Sequence, residues 1–417
     1  MFRHPRSRRI ASAALGAALC VASACTRGAP NTTLTPHSEF GRDIDRLWDI
    51  LLIGGATVFV LVELGLLYTV FRYRHREGNP EPKQVHGNTT LEITWTLIPA
   101  VVLAFIAVPT IRTIFNTQAK AAANALEVEV VGHQWWWEFR YPQLGVTTAN
   151  ELYLPVGRTA SFALKTKDVL HSFWIPQLAG KRDLISNHTN YLWFTPESTF
   201  VWNGFCAEYC GPSHANMRFK VFTVTQPEFD AWVAHQKTGP AFGGTTAAVS
   251  DTAAARPSAV AAVATSTNTT SPARGSAGPI TATPVFAADL AAFPRARLPR
   301  HVIPATPTPI TLGLAPVTGN PTRGAQLYRT GACIGCHVVE GVSASPIGPN
   351  LTHVGSRTSI AAGLYPNDPR HLALWIKNAP LMKPGSLMPA LGKSAQVPGG
   401  YTDQQIVDIA AYLLSLK

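Results

Sequence analysis

The sequence predicts a membrane-anchored multidomain chain: a two-helix transmembrane hairpin, an all-β domain, a disordered linker and an all-α C-terminal domain. Three observations predict it. Two long apolar runs lie near the N-terminus, short alternating runs broken by turn residues follow, and a stretch rich in Ala, Thr, Ser and Pro separates these from a last region with helical periodicity. At 417 residues the chain is longer than a single core usually grows. With 14% charged and 46% hydrophobic residues, its composition suits a protein partly in lipid.

The N-terminus carries Arg3, Arg6, Arg8 and Arg9, then a short apolar run, then small residues, which is the order of a signal peptide over residues 1–25. Cleavage is expected after Ala22 or Ala24. Cys25 after Ala-Ser-Ala leaves open a lipoprotein site. The hairpin is expected over 40–118, with helices over Leu47 to Phe71 and Leu91 to Phe115. Each run holds about 25 residues, which at about 1.5 Å per residue exceeds the roughly 30 Å hydrocarbon core. Arg72, Arg74, Arg76 and Lys83 lie between them, so the positive-inside rule puts that loop in the cytoplasm and everything after Phe115 outside. The net charge of +11 is spread over the signal, this loop and both outer domains. No basic stripe marks a nucleic-acid surface.

From 121 to 237 short strands dominate. Leu126 to Val131 alternates as a half-buried strand does, and the runs Ala160 to Leu164, Tyr191 to Phe194 and Phe219 to Val224 are similar. Pro142, Gly145, Pro155, Gly157 and Pro196 punctuate them, which favours a small antiparallel sandwich or barrel. Residues 238–318 lack the periodic apolar and aromatic residues that offset ordering entropy, so they read as a disordered tether. Such a tether would let the terminal domain alternate between two positions, one of them against the β domain. Over 319–417, helices are expected at Pro321 to Cys336, at Pro369 to Asn378 and from Thr402, where Thr402 and Gln405 form a capping-box pattern. Ile406, Ile409, Ala410, Leu413 and Leu414 then line one apolar face.

The chemistry concentrates in two constellations. Cys206-Ala-Glu-Tyr-Cys210-Gly-Pro-Ser-His214-Ala-Asn-Met217, with a distant His171, offers two thiols, two imidazoles and a thioether. That softness selects copper or zinc over hard cations. A mononuclear blue-copper site needs only one cysteine, whereas two thiolates can bridge two coppers that share one electron. A structural Cys2His2 zinc site and a Cys206–Cys210 disulfide compete. Met217 argues against both, because the three methionines after the initiator all sit in cofactor-like segments.

The loop, preceded by His171-Ser-Phe-Trp-Ile-Pro, resembles the copper A loop of cytochrome c oxidase subunit II, a cupredoxin-like domain. The resemblance extends to Leu91-Glu92-Ile-Thr-Trp95-Thr-Leu-Ile-Pro99 and to Gly132-His133-Gln134-Trp135-Trp136-Trp137, covering residues 40 to 237. It implies that Cys206 and Cys210 bridge a dinuclear copper centre, that His171 and His214 bind one copper each, and that Met217 is a weak ligand. It further implies a Glu208 backbone carbonyl ligand and a Glu208 side chain turned toward a magnesium ion shared with subunit I. Glu92 resembles the family's carboxylate at the mouth of a proton channel, its alternative being a snorkelling interfacial glutamate. Trp135 is the expected site of electron input, its alternative plain strand packing. Glu63, deep in the first run, is expected to face a polar partner and is assigned no role.

Cys333-Ile-Gly-Cys336-His337 reads as covalent attachment of haem c, the thiols taking the vinyls and His337 the iron. Met382 and Met388 compete as sixth ligand. Pro384-Gly-Ser-Leu-Met388-Pro389 resembles the methionine loop of class I cytochromes c, which favours Met388. Gly348-Pro349-Asn350-Leu351 resembles the segment whose proline carbonyl orients the proximal histidine.

Together these features predict a subunit of a caa3-type haem-copper oxidase at the bacterial plasma membrane. Electrons would pass from a donor such as a cytochrome c or a cytochrome bc1 complex through haem c and copper A to subunit I, assembled with subunit III. Two other readings remain open: a copper A subunit of a nitric oxide or nitrous oxide reductase, and a membrane-bound copper-binding protein. The second leaves the haem motif unexplained. A quinol oxidase subunit is disfavoured because the copper ligands are all present.

Overall fold

A computed structural model describes residues 29, 31–75, 77, 78, 84, 86–240, 247–249, 293, 294 and 298–417. The expected signal peptide, Arg76, Lys83 and most of the expected linker lie outside the described residues.

Helix α1 (Glu39–Arg72) starts where the Ser38 hydroxyl accepts from the Gly41 amide, and α2 (Thr89–Gln118) where the Asn88 side chain accepts from the Leu91 amide. Both run past the apolar stretches at each end, because polar caps and the flanking turns extend the helix beyond the lipid-length segment. Their side chains are largely exposed to the surroundings, as a lipid-facing pair requires.

The β domain comprises β1 (Leu126–His133), β2 (Trp136–Tyr141), β3 (Val146–Ala149), β4 (Glu151–Pro155), β5 (Ala160–Thr166), β6 (His171–Trp174), β7 (Arg182–Leu184), β8 (Asn190–Phe194), β9 (Phe200–Cys206) and β10 (Arg218–Val224), closed by helix α3 (Gln226–Gln236). Two five-stranded sheets, ordered β3-β2-β1-β5-β8 and β4-β10-β9-β6-β7, enclose one core that includes Leu126, Val130, Phe139, Phe162, Phe173 and Phe219. The sandwich is not purely antiparallel. β1 runs parallel to β5 from Leu126↔Ala160 to Gly132↔Thr166, and β10 parallel to β4 from Lys220↔Glu151. Connections that cross between the two layers allow this, and local alternation cannot report strand direction.

The tether expectation needs correcting at its end. Phe293 and Val302 are buried in the sandwich core, and Leu312 and Leu314 in that of the C-terminal domain. The strand β11 (Ala247–Val249) pairs antiparallel with β12 (Val317–Gly319). Isolated apolar residues in a Pro-rich segment carry no periodicity, so the sequence does not reveal that they dock.

The C-terminal domain contains α4 (Pro321–Thr330), α5 (Pro369–Lys377), α6 (Ala379–Met382) and α7 (Asp403–Ser415). α7 begins with the capping box foreseen: the Thr402 hydroxyl accepts from the Gln405 amide and the Gln405 side chain accepts from the Thr402 amide. Its apolar face crosses α4 at Gly324, where a Cβ would meet the Asp408 carbonyl oxygen at 1.9 Å, so only glycine permits this approach. Arg323 closes the crossing through two hydrogen bonds to buried Asp408, at 2.8 and 3.0 Å. α4 ends at Thr330, six residues short of the expected end, and a 3-10 turn over Ala332–Gly335 carries Cys333 and is capped by Cys336.

Candidate copper and haem centres

The copper candidates converge from three places. His171 opens β6, Cys206 ends β9, and Cys210, His214 and Met217 lie on the loop between β9 and β10. β6 and β9 pair at Phe173↔Cys206, which brings His171 to the loop. The Cys206 and Cys210 sulfurs are 3.7 Å apart as free thiols. His171 Nδ1 lies 3.9 Å from the first, and His214 Nδ1 lies 3.7 Å from the second. Met217 Sδ is 3.8 Å from Cys210, and the Glu208 carbonyl oxygen is 3.2 Å from Cys206 Sγ. Each imidazole thus stands beside a different sulfur. His171, Cys206, Cys210 and Met217 are buried, and the donor set fits copper.

Asp168 supports this group, accepting from the Gln134 amide at 2.7 Å and pairing with His171 Nε2 at 2.8 Å. Burial alone would lower the His171 pKa, but Asp168 and the Cys206 sulfur hold it above its ordinary value. The Cys210 thiol, and after it His171, stabilise a Cys206 thiolate against desolvation, so the first proton leaves the cysteine pair well below the usual thiol range. Asp168 was missed in the sequence, although a carboxylate three residues before a candidate ligand was a usable signal.

The haem motif borders an apolar cavity lined by Cys333, Cys336, His337, Trp375 and Met388, among others. His337 Nδ1 donates to the Pro349 carbonyl at 2.9 Å, which leaves Nε2 for an iron. Burial lowers its pKa, keeping the imidazole in the neutral form that binds metal. Ile347 and Leu387 also line the cavity yet are 70% and 75% exposed, as expected of residues that a large planar group would cover. Met388 borders this cavity. Met382 is instead buried in the helical core, its carbonyl accepting from the Tyr365 hydroxyl. These residues fit haem c.

The three tryptophans separate by role. Trp137 is buried in the sandwich core, and Trp136 stacks on His133 at 4.1 Å. Trp135 borders the haem cavity and donates from its indole to the Cys210 carbonyl at 3.0 Å, where Gln134 Nε2 also donates at 2.8 Å. Trp135 is 7% exposed, with Gly385 of the C-terminal domain against its ring. Glu92 lies at the exposed start of α2, where its carboxylate accepts from the Asn88 amide at 3.3 Å as part of the helix cap. Glu63 is on the exposed surface of α1.

Comparison with known proteins bears on this arrangement. The cytochrome c oxidase subunit 2 of Alkalihalophilus pseudofirmus is 32% identical over 392 residues, spanning 93% of this chain and 91% of that one. The chain belongs to the cytochrome c oxidase subunit II family. Its transmembrane and periplasmic domain families match residues 35–113 and 143–224, and the cytochrome c family matches 321–417. The subunit 2 of Bacillus sp. PS3 is 30% identical over 364 residues, covering 83% of this chain and 80% of that one. The quinol oxidase subunit 2 of Bacillus subtilis is 32% identical over 196 residues, 44% of this chain and 60% of that one. As a member of the oxidase subunit II family, the chain is a membrane-anchored component of an oxidoreductase, with a copper-binding cupredoxin-like domain and a haem c domain.

Proposed function

We propose that this chain is the subunit through which electrons enter a terminal respiratory oxidase. They pass from a donor, such as a cytochrome c or a cytochrome bc1 complex, through haem c and dinuclear copper A to the haems of subunit I, where oxygen is reduced to water with coupled proton pumping. Both outer domains lie on the extracytoplasmic side. The observation that carries this reading is Trp135, which borders the haem cavity and hydrogen-bonds the carbonyl of the copper-side Cys210.

When bound, haem c and the copper pair supply two one-electron redox centres. The chain's own residues hold and order them. Cys333 and Cys336 would anchor the haem, His337 and Met388 would offer donors to its iron, and the Pro349 carbonyl orients His337. Cys206, Cys210, His171, His214, Met217 and the Glu208 carbonyl would hold the copper pair. A histidine beside each sulfur supports two ions sharing two thiolates over a single tetrahedral ion. The Asp168 bond to His171 sets the ring orientation.

The family resemblance further assigns the Glu208 carboxylate to magnesium at the subunit I boundary and Glu92 to the mouth of a proton channel. Assembly with subunits I and III belongs to the same reading. Electron paramagnetic resonance of the oxidised oxidase tests it. Hyperfine splitting from one electron shared equally over two coppers is expected, and a mononuclear copper signal, or zinc in its place, would overturn the dinuclear assignment. The full set of soft donors favours this over a quinol oxidase role.

A further inference from the structure

The haem cavity is closed on one side by the copper domain, through Gln134, Trp135, Trp136 and Asn150. Two buried charged side chains, one from each domain, bond across the junction there. From the C-terminal domain, Lys383, 4% exposed, donates from Nζ to the Trp135 carbonyl and at 3.5 Å to the Ala361 carbonyl of its own domain. From the copper domain, Glu151 on β4, 3% exposed, accepts from the Thr358 amide at 2.7 Å and from the Thr358 hydroxyl. Lys220, opposite Glu151 on β10, donates to the same hydroxyl at 3.2 Å, and the Arg357 guanidinium adds an attractive charge beside Glu151. Between the two contacts Ser213, next to His214, donates to the Pro384 carbonyl, and Gly385 lies over the Trp135 ring.

Buried charges are costly unless paired, and here each is satisfied by a group of the other domain. Parting the domains would break all of these bonds except that of Lys383 to Ala361. A face that met its partner only in passing would keep such groups in water.

We infer that Lys383 is a positioning residue: with Glu151 as counterpart, it seats the haem domain permanently on the copper domain and holds the Trp135 backbone between the two centres. This rests on the electron-transfer reading above and replaces the alternating carrier that the tether suggested. A second consequence follows from the same contacts. The Trp135 ring is covered by the chain's own methionine loop, so an external donor addresses the haem domain and not the copper face.

The test is made in the intact oxidase, carrying both cofactors, by photoreducing haem c and following its reoxidation by the copper centre. Midpoint potentials of both centres and the copper paramagnetic signal are recorded alongside. Removing a buried charged hydrogen-bond donor lowers the ratio of seated to unseated molecules on the order of tenfold or more. Lys383→Met is therefore expected to slow the transfer on that order with potentials and copper signal unchanged, and Lys383→Arg to restore most of the rate. Glu151→Gln, on the opposite side of the junction, is expected to slow it in the same sense and keeps the test decisive if Lys383→Met fails to assemble. An unchanged rate in either variant would overturn the proposal. So would slowing accompanied by a shifted potential, which would make Lys383 a source of field and not of position. Absence of haem-to-copper transfer in the unaltered oxidase would instead overturn the functional reading beneath it.

Discussion

The two cofactor sites of this chain are built on opposite principles. The copper site is assembled by strand register: β6, β9 and the β9–β10 loop bring the sulfur and imidazole donors to neighbour distances of 3.7 to 3.9 Å around a core that is complete without the metal. The haem site is an apolar hollow between α4, α5 and α7, with exposed Ile347 and Leu387 at its rim, Cys333 on a short 3-10 turn and Cys336 at the end of that turn. One site positions a ligand on a finished scaffold, and the other uses its ligand as part of the core. A domain of about 100 residues has little core to spare, so the second design makes folding depend on the cofactor.

The sharpest way to break this comparison is to remove each cofactor in turn. Without haem attachment, as in the double variant Cys333→Ala/Cys336→Ala, residues 319–417 are expected to lose their cooperative unfolding transition and become protease-sensitive. Copper chelation should leave the sandwich's circular dichroism intact and only lower its melting temperature, by the binding free energy lost. A haem-free domain that melts as sharply as the loaded one would refute the contrast.

Within the copper site, Asp168→Asn removes the carboxylate that orients His171 and also holds the Gln134 amide. Copper affinity is expected to fall about ten- to a hundredfold with the fold retained, as read by competition with a chelator. An unchanged affinity would mean that the strands alone orient the ring.

At the junction of the two regions, Gly385 has φ +83°, and a Cβ there would lie 2.9 Å from the Trp135 ring. Gly385→Ala is expected to strain the loop by about 1–3 kcal/mol and to slow haem-to-copper transfer while leaving the copper signal unchanged. Equal transfer rates would show that the loop can withdraw from Trp135 without consequence.

The smallest effect expected is that of pH on the same junction. The rings of His235 on α3 and His353 of the haem domain are tilted to each other with centroids 4.8 Å apart; burial lowers both pKa values below 6.5, and at His235 the charge of His353 adds to this. Arg357 adds to the lowering at His353, while carbonyls of Lys417, Gln236 and Thr238 oppose it. Depressed histidines bind fewer protons when seated, so seating is fully favoured above about pH 6.5 and weakens as pH falls through the lowered values. Amide protection over residues 230–237, after division by the intrinsic exchange rate at each pH, should fall a few-fold between pH 7.5 and 5.5, and His235→Gln should flatten the change.

Much of the architecture was legible because its signals are local. Lipid-length apolar runs, the Thr402–Gln405 capping box and Cys333-Ile-Gly-Cys336-His337 each act within a few residues or one helix. The candidate copper donors were equally legible, since two thiols, an imidazole and a thioether share residues 206–217 and chemical softness alone narrows the metal. Strand direction was not, because alternation tells which face a residue takes but not which strand lies beside it. β1 and β5 therefore came out parallel.

Residue type and spacing alone determined that this chain has two membrane helices, a soft-metal loop and a haem motif, because lipid length, ligand softness and thioether attachment are properties of short segments. Only the tertiary structure decided how the two centres meet. Lys383 next to Met382, and Glu151 at the start of a strand, carry no mark of their partners in sequence. Their roles come from Trp135 and Thr358, 248 and 207 positions away, and a contact over such a span exists only once both domains have folded and excluded water between them.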